Sequence, residues 1–195
     1  MTHKEIYTGL MFGSFNPVHH GHLMIASYMK QFTELEEVWL VLSPHNPHKN
    51  KVDLLDDSLR LKMLEMAIDG IAGVKICDIE LQLEQPSYTA ITLAHLEERY
   101  LNRRFSLIMG SDNLATLSTW YKAEKIIKRY PLFVYPRPGT ENSQPPQGAK
   151  IVQTHAPMIE ISSSFIRDGI KEGKEMGCFL PEKVYQYILS EELYK

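Results

Sequence analysis

Apolar residues fall along this chain in two alternating kinds of run. The short runs are nearly unbroken: Ile6 to Phe12, Val38 to Leu42, Val74 to Ile79, Phe105 to Met109, Leu132 to Tyr135 and Ile151 to Thr154. Such runs, bounded by Gly, Pro and Ser, predict strands covered on both faces. Longer stretches with helical spacing lie between them. Ile25, Tyr28, Met29 and Phe32 predict a helix from Gly21 to Phe32, and Leu59, Met63, Met66 and Ala67 a second one opened by Asp56 or Asp57. Further helices are expected over Tyr88 to Tyr100, roughly Leu117 to Arg129, Ser162 to Lys171 and Pro181 to Glu192. Thr140 to Gly148, rich in Pro, Gln, Ser and Asn, reads as a flexible loop.

Strands alternating with helices predict an α/β fold: a doubly wound, Rossmann-like parallel sheet with helices on both faces, in a single domain over residues 1–195. Ligands in such folds bind beyond the carboxyl ends of the strands, near the switch in strand order. The segments after Phe12, Leu42, Met109 and Thr154 are therefore where chemistry is expected.

Composition narrows the partners. The apolar share of 44 % and charged share of 23 % are those of a folded globular chain, and a net charge of −3 offers no overall positive field for nucleic acid. A phosphate-bearing ligand must then be met by local features. Cys77 and Cys178, far apart, are not a disulfide framework. No apolar run approaches the roughly 20 residues that span a bilayer, and the N-terminal segment lacks the features of a secretory signal. These points predict a cytoplasmic protein with no membrane and no nucleic-acid partner, and leave homo-oligomerisation open.

The first strand end carries Gly13-Ser14-Phe15-Asn16-Pro17-Val18-His19-His20-Gly21-His22. Gly13 permits close backbone approach, Pro17 fixes a turn, and His19, Gly21 and His22 stand at the mouth of the first helix. Exposed N–H groups and the helix dipole attract an anion there, and two imidazoles can add donors. On residue type alone, surface histidines or metal ligands remain alternatives. Neither the G-x-G-x-x-G fingerprint nor a Walker element is present, which disfavours a dehydrogenase or a P-loop enzyme. Late in the chain, Ile161-Ser162-Ser163-Ser164-Phe165-Ile166-Arg167 opens another helix. Its serines can cap and donate, and Arg167 lies one turn in, within reach of a phosphate; a plain capped helix is the alternative.

The first segment resembles the signature of the HxGH nucleotidyltransferase superfamily, and the Ile-Ser-Ser-Ser-x-x-Arg run resembles that superfamily's second signature. Over nearly the whole chain the sequence is similar to bacterial nicotinate-nucleotide adenylyltransferases. The similarity runs through Pro47-His48-Lys49, Arg60 with Met63, Leu64 and Ala67, Pro86-Ser87-Tyr88-Thr89 with Thr92-Leu93, Gly110-Ser111-Asp112, Leu117 with Trp120-Tyr121, Arg137-Pro138-Gly139, and the tail from Leu180-Pro181 to Leu193-Tyr194. The resemblance implies AMP transfer from ATP to nicotinate mononucleotide in NAD biosynthesis. It implies His19, His22 and Arg167 as catalytic residues. It implies Gly13, Ser14, Phe15, Gly21, Gly110, Asp112, Ile161, Ser162 and Ser163, with those three, around ATP. His48, Lys49, Thr89, Trp120 and Tyr121 are implied at the acceptor, with Trp120 stacked on the nicotinate ring. Mg²⁺ is expected with ATP, bridging its phosphates, and no side chain is assigned to the metal. Asn16 stands where the family often has Asp, which removes a negative charge beside the phosphates. Asn is also found at this place in nicotinamide-mononucleotide adenylyltransferases, and that acceptor is the nearest alternative. Pantetheine-phosphate adenylyltransferase, a shorter family without the Trp-Tyr and Pro-His-Lys elements, and a non-catalytic nucleotide sensor are more distant ones.

Overall fold

The first apolar run forms β1 (Ile6–Gly13), and side-chain alternation divides it between two cores: Leu10 faces one way and Met11 the other. The structure is a computed structural model that describes residues 4–44, 54–140 and 144–195. In chain order follow α1 (His20–Phe32), β2 (Glu37–Leu42), α2 (Asp57–Ile68), β3 (Val74–Cys77), α3 (Thr89–Arg99), β4 (Arg103–Gly110), α4 (Leu114–Leu117), α5 (Ala123–Arg129), β5 (Leu132–Tyr135), β6 (Ile151–Gln153), α6 (Ser163–Lys171) and α7 (Glu182–Ser190). The strands lie in the order β3-β2-β1-β4-β5-β6, and every pairing is parallel. This is the doubly wound sheet read from the sequence. Leu40 and Leu42 of β2 pack with α1, α2, α6 and α7 through Met29, Met63, Ile166 and Val184. Trp39 and Val41 pack on the other face with Leu93 of α3 and Ile126 of α5. Burying each such aliphatic side chain contributes roughly 1.5–3 kcal/mol relative to exposure. The strands read as unbroken apolar runs because both faces are covered. Among the described residues no helix is long and apolar enough to cross a membrane.

β1 and β4 are the central neighbours from which the two halves wind in opposite directions, so the switch point lies beyond Gly13 and Gly110. The opposite edge is closed by an ionic knot. Glu37, at the start of β2, accepts from Thr8 Oγ1 at 2.9 Å, Arg103 Nε at 2.7 Å and Lys75 Nζ at 2.5 Å. Burial on its own would raise the Glu37 pKa, but the bonds from Lys75, Arg103 and Thr8 outweigh it and hold the carboxyl below its usual range.

Three elements differ from the sequence reading. The third strand stops at Cys77, and Ile79–Gln82 forms a 3₁₀ turn. Asp56 takes the N-cap position of α2, yet its side chain makes no capping bond; Asp57 pairs with Arg60 instead. Of the helix expected over Leu117 to Arg129 only Ala123–Arg129 forms; Leu117 ends the preceding α4, and the Thr119 hydroxyl and N–H both turn back to the Thr116 carbonyl, at 2.7 and 2.9 Å. Lys122, in the left-handed region at φ 53°, completes the break. Trp120 and Tyr121 thus lie in a turn. Within the loop expected at 140–148, residues 141–143 lie outside the described residues.

Candidate active site

Beyond Gly13 the chain makes a tight loop before α1. Phe15 adopts φ 45° and buries its ring in the core, with the His22 ring edge-on at 5.0 Å, so only its backbone is left to meet a ligand. Asn16 and Val18 are also buried. Arg60 secures this loop from below. Fully buried, its guanidinium donates to the carbonyls of Ser14 (2.6 Å), Ser43 (2.9 Å), Pro44 (3.2 Å) and Leu55 (2.9 Å), and pairs with Asp57. The ends of β1 and β2 are held together by one cation, supported further by the Ser43 N–H on the Gly13 carbonyl at 2.9 Å.

His19 caps α1 with extended backbone, and His22 stands one turn in. Their rings stack with centroids 3.7 Å apart. The His19 N–H donates to His22 Nδ1 at 3.3 Å, which puts the proton of a neutral His22 ring on Nε2. His19 is 4 % exposed, and its Nδ1 is buried with no hydrogen-bond partner among the described residues. Burial, then the charges of Arg137 and His20, lower its pKa from 6.5 to about 4. The ring is therefore neutral near pH 7. Gly21 is required between the two: a Cβ there would lie 3.0 Å from the His19 ring.

The late serine run meets this loop. Ser162 caps α6, its Oγ accepting from the Phe165 N–H at 3.1 Å, as its sequence position predicts. Ser163 Oγ donates to the Pro17 carbonyl at 2.9 Å. Arg167 Nη1 donates to the Asn16 carbonyl at 2.8 Å and Nη2 to Ser164 Oγ at 3.3 Å, while its buried Nε has no hydrogen-bond partner among the described residues. Two segments 151 residues apart in sequence thus form one helix-mouth cluster. A cleft beside this cluster is lined by Met11, His19, Gly21, His22, Tyr135 and Arg137, with Ile159 and Ile161 closing it.

Arg137 was missed by the sequence reading as a site residue. It follows β5, whose end at Tyr135 is absent from the four strand ends singled out there, although the same strand-end rule would have found it. Its guanidinium lies 5.4 Å from the Tyr135 ring centroid, with Nε 3.9 Å from Asp112 Oδ1 and buried without a hydrogen-bond partner among the described residues. Asp112 is exposed in a 3₁₀ turn after Gly110, where a Cβ would come within 2.3 Å of Asp112 and 2.9 Å of Arg137. Asn16 also differs from expectation. Its Oδ1 is buried, accepting from Tyr194 Oη at 2.8 Å and from the Leu55 N–H at 3.4 Å. Its side-chain oxygen belongs to a contact with the C-terminal segment.

The acceptor candidates gather on the other side of the switch point. Thr89 is the first residue of α3, and Trp120 and Tyr121 form the turn between α4 and α5. Tyr121, 44 % exposed, meets the ring of Tyr88 at 4.8 Å, so the start of α3 and this turn face each other. Trp120 is half-buried against the core cluster that also contacts Phe12 and Ala90. His48 and Lys49 lie outside the described residues.

Comparison with known proteins places this geometry. The family model described as cytidylyltransferase-like matches residues 10–169. A probable nicotinate-nucleotide adenylyltransferase of Flavobacterium johnsoniae is 49 % identical over 189 residues, covering 96 % of this chain and 98 % of the relative. One of Bacteroides fragilis is 42 % identical over 186 residues, covering 94 % and 92 %. Among solved structures, the nicotinic acid mononucleotide adenylyltransferase of Plasmodium falciparum in complex with NaAD superimposes with a TM-score of 0.77 at 19 % identity, over 97 % of this chain and 98 % of that one.

Proposed function

From its place in the cytidylyltransferase-like family, to which this chain belongs with nicotinate-nucleotide adenylyltransferases as its relatives, we infer that it transfers AMP from ATP to nicotinate mononucleotide. The products are nicotinate adenine dinucleotide and pyrophosphate. The observation that carries this reading is the helix-mouth cluster at the switch point, where the two stacked histidines line a cleft with Arg137 and Ile161, and Ser163 and Arg167 bond to the same loop.

An oxygen of the acceptor's 5′-phosphate attacks the α-phosphorus of ATP. A new P–O bond forms as the bond to the bridging oxygen of the β-phosphate breaks, and that oxygen leaves with pyrophosphate. The nucleophile is already anionic near neutral pH, so no general base is needed. Catalysis is positioning and stabilisation of charge on the α-phosphoryl oxygens. His22, with its proton on Nε2, is assigned as the donor nearest the α-phosphate. His19, neutral before ATP binds, joins it, and an adjacent polyphosphate would raise its pKa again. Arg167 with Ser162 and Ser163 is assigned to the β- and γ-phosphates, and Gly13, Ser14, the Phe15 backbone, Gly21, Gly110, Asp112 and Ile161 to the rest of ATP. Thr89, Trp120 and Tyr121, with His48 and Lys49, are assigned to the acceptor, Trp120 stacking on the pyridine ring.

The donors of this cluster are the His19 and His22 imidazoles, the Arg137 and Arg167 guanidinium groups and serine hydroxyls, which suit an anion better than a hard, oxygen-seeking cation such as Mg²⁺. Mg²⁺ accordingly belongs to the substrate, held by ATP's own phosphates and water. Both thiols, Cys77 and Cys178, are free, which accords with a reducing cytoplasm. The test is pyrophosphate release with ATP and Mg²⁺, comparing nicotinate with nicotinamide mononucleotide. Release with a higher kcat/KM for the nicotinate acceptor is expected. Release only with the nicotinamide form would move the acceptor, and none with either would end the enzymatic reading.

A further inference from the structure

Glu80 is a buried carboxylate to which the reaction above gives no task. It sits in the 3₁₀ turn after β3, 2 % exposed, and its partners among the described residues are hydroxyls. Thr92 Oγ1 donates to its Oε1 at 2.6 Å, and the hydroxyls of Ser43 and Ser87 bond to the same carboxyl. Burial raises its pKa, and these three bonds pull the other way. A carboxyl in such a place is costly for a fold that apolar side chains could fill.

The origin of the three hydroxyls is informative. Ser87 stands two residues before Thr89, and Thr92 follows it by three, so the first turn of α3 is gripped on both sides of the acceptor candidate. Ser43 comes from the end of β2, where its N–H bonds the Gly13 carbonyl of the phosphate loop. Gln85 Nε2 donates to the Glu80 carbonyl at 3.0 Å, tying in the chain that leads to α3. Tyr88, between the gripped residues, carries the ring that meets Tyr121.

We propose that Glu80 is a positioning residue for the acceptor: by gathering the hydroxyls of Ser43, Ser87 and Thr92 it fixes the first turn of α3, and with it Tyr88 and Thr89, against the Trp120–Tyr121 turn. This rests on the acceptor assignment made above. Two of the three hydroxyls flank Thr89, whereas the ATP candidates His19, His22 and Arg167 stand at the starts of α1 and α6, so the effect is expected to fall mainly on the acceptor.

The test is steady-state kinetics of wild type, Glu80→Ala and Glu80→Gln with ATP and nicotinate mononucleotide, alongside thermal melting. Loss of hydrogen bonds to a charged group predicts an acceptor KM raised about 10-fold or more in Glu80→Ala, with the ATP KM within about 2-fold. Glu80→Gln should fall between, because its Oε1 still accepts from one hydroxyl and its amide nitrogen cannot accept. If Glu80→Ala does not fold, the Ser87→Ala/Thr92→Val double variant is expected to show the same split. An unchanged acceptor KM in folded variants, or equal rises for both substrates, overturns the proposal. Absence of turnover by wild type with this acceptor overturns the functional reading itself, and the proposal with it.

Discussion

Tyr194 Oη donates to Asn16 Oδ1 at 2.8 Å, joining the C-terminal segment to the phosphate loop across 178 residues of sequence. Burial raises the Tyr194 pKa, so the phenol keeps its proton and acts as donor. The backbone carbonyl of the same Asn16 holds Arg167. Removing the phenol oxygen takes the 2.8 Å bond away from a buried acceptor. Tyr194→Phe is therefore expected to cost about 1–2 kcal/mol and lower the melting temperature by roughly 2–6 °C. A thermal melt that does not move would show that the contact adds nothing to stability.

His22→Ala removes one donor to the α-phosphoryl group and leaves a half-exposed helix position. We expect kcat to fall by at least ~100-fold, the usual loss for one transition-state donor, with the far-UV spectrum retained. Single-turnover measurements with saturating ATP would reveal the chemical step directly. Wild-type turnover in the folded variant would remove His22 from the mechanism.

Trp120→Ala should act on the acceptor alone. Stacking on a flat ring contributes about 1–3 kcal/mol, so the KM for nicotinate mononucleotide is expected to rise about 10-fold while that for ATP stays nearly constant. A variant with both constants unchanged would make Trp120 a covering residue of the core.

His19 predicts an acid limit. Its folded pKa of about 4 lies below the ordinary 6.5, so between these values the unfolded chain binds a proton that the folded chain excludes. Stability contributed by the neutral ring is present above pH 6.5 and is lost as pH falls toward 4, with a ceiling of roughly 3 kcal/mol. Urea unfolding at pH 7 and pH 4.5 measures it, and His19→Gln should lose less than wild type over the same interval. Equal losses in the two proteins would assign the acid slope to other groups.

The sheet was legible because a strand covered on both faces must be apolar throughout, and the six runs say so in sequence. The candidate site was legible because His19, His22, Ser162 and Arg167 stand in compact motifs at helix starts, and the structure brings the two segments together. What stayed hidden depends on long-range contact. Nothing local to Asn16 reveals that its side-chain oxygen faces Tyr194, so its replacement of Asp looked like a change of charge beside the phosphates. The break at Ser118–Lys122 turns on one hydroxyl folding back on Thr116, which competes with a helical pattern that apolar spacing alone favours. Arg137 stands after a strand whose end was not among those singled out, and β5 beside β4 brings it to Asp112 and the cleft.

Arg60 touches no substrate in this scheme, yet it governs what the phosphate loop shows to one. Every peptide unit has an electronegative side and an electropositive side. Arg60 draws the oxygens of Ser14, Ser43, Pro44 and Leu55 inward, and Arg167 and Ser163 take those of Asn16 and Pro17. With its repelling atoms turned into the protein, the loop can present an amide-rich surface to a polyphosphate. Anion selectivity at this edge, on the proposed function, would be partly subtractive, made by concealing acceptors as much as by supplying donors. That explains how a chain of net charge −3 can build such a surface from so few cations.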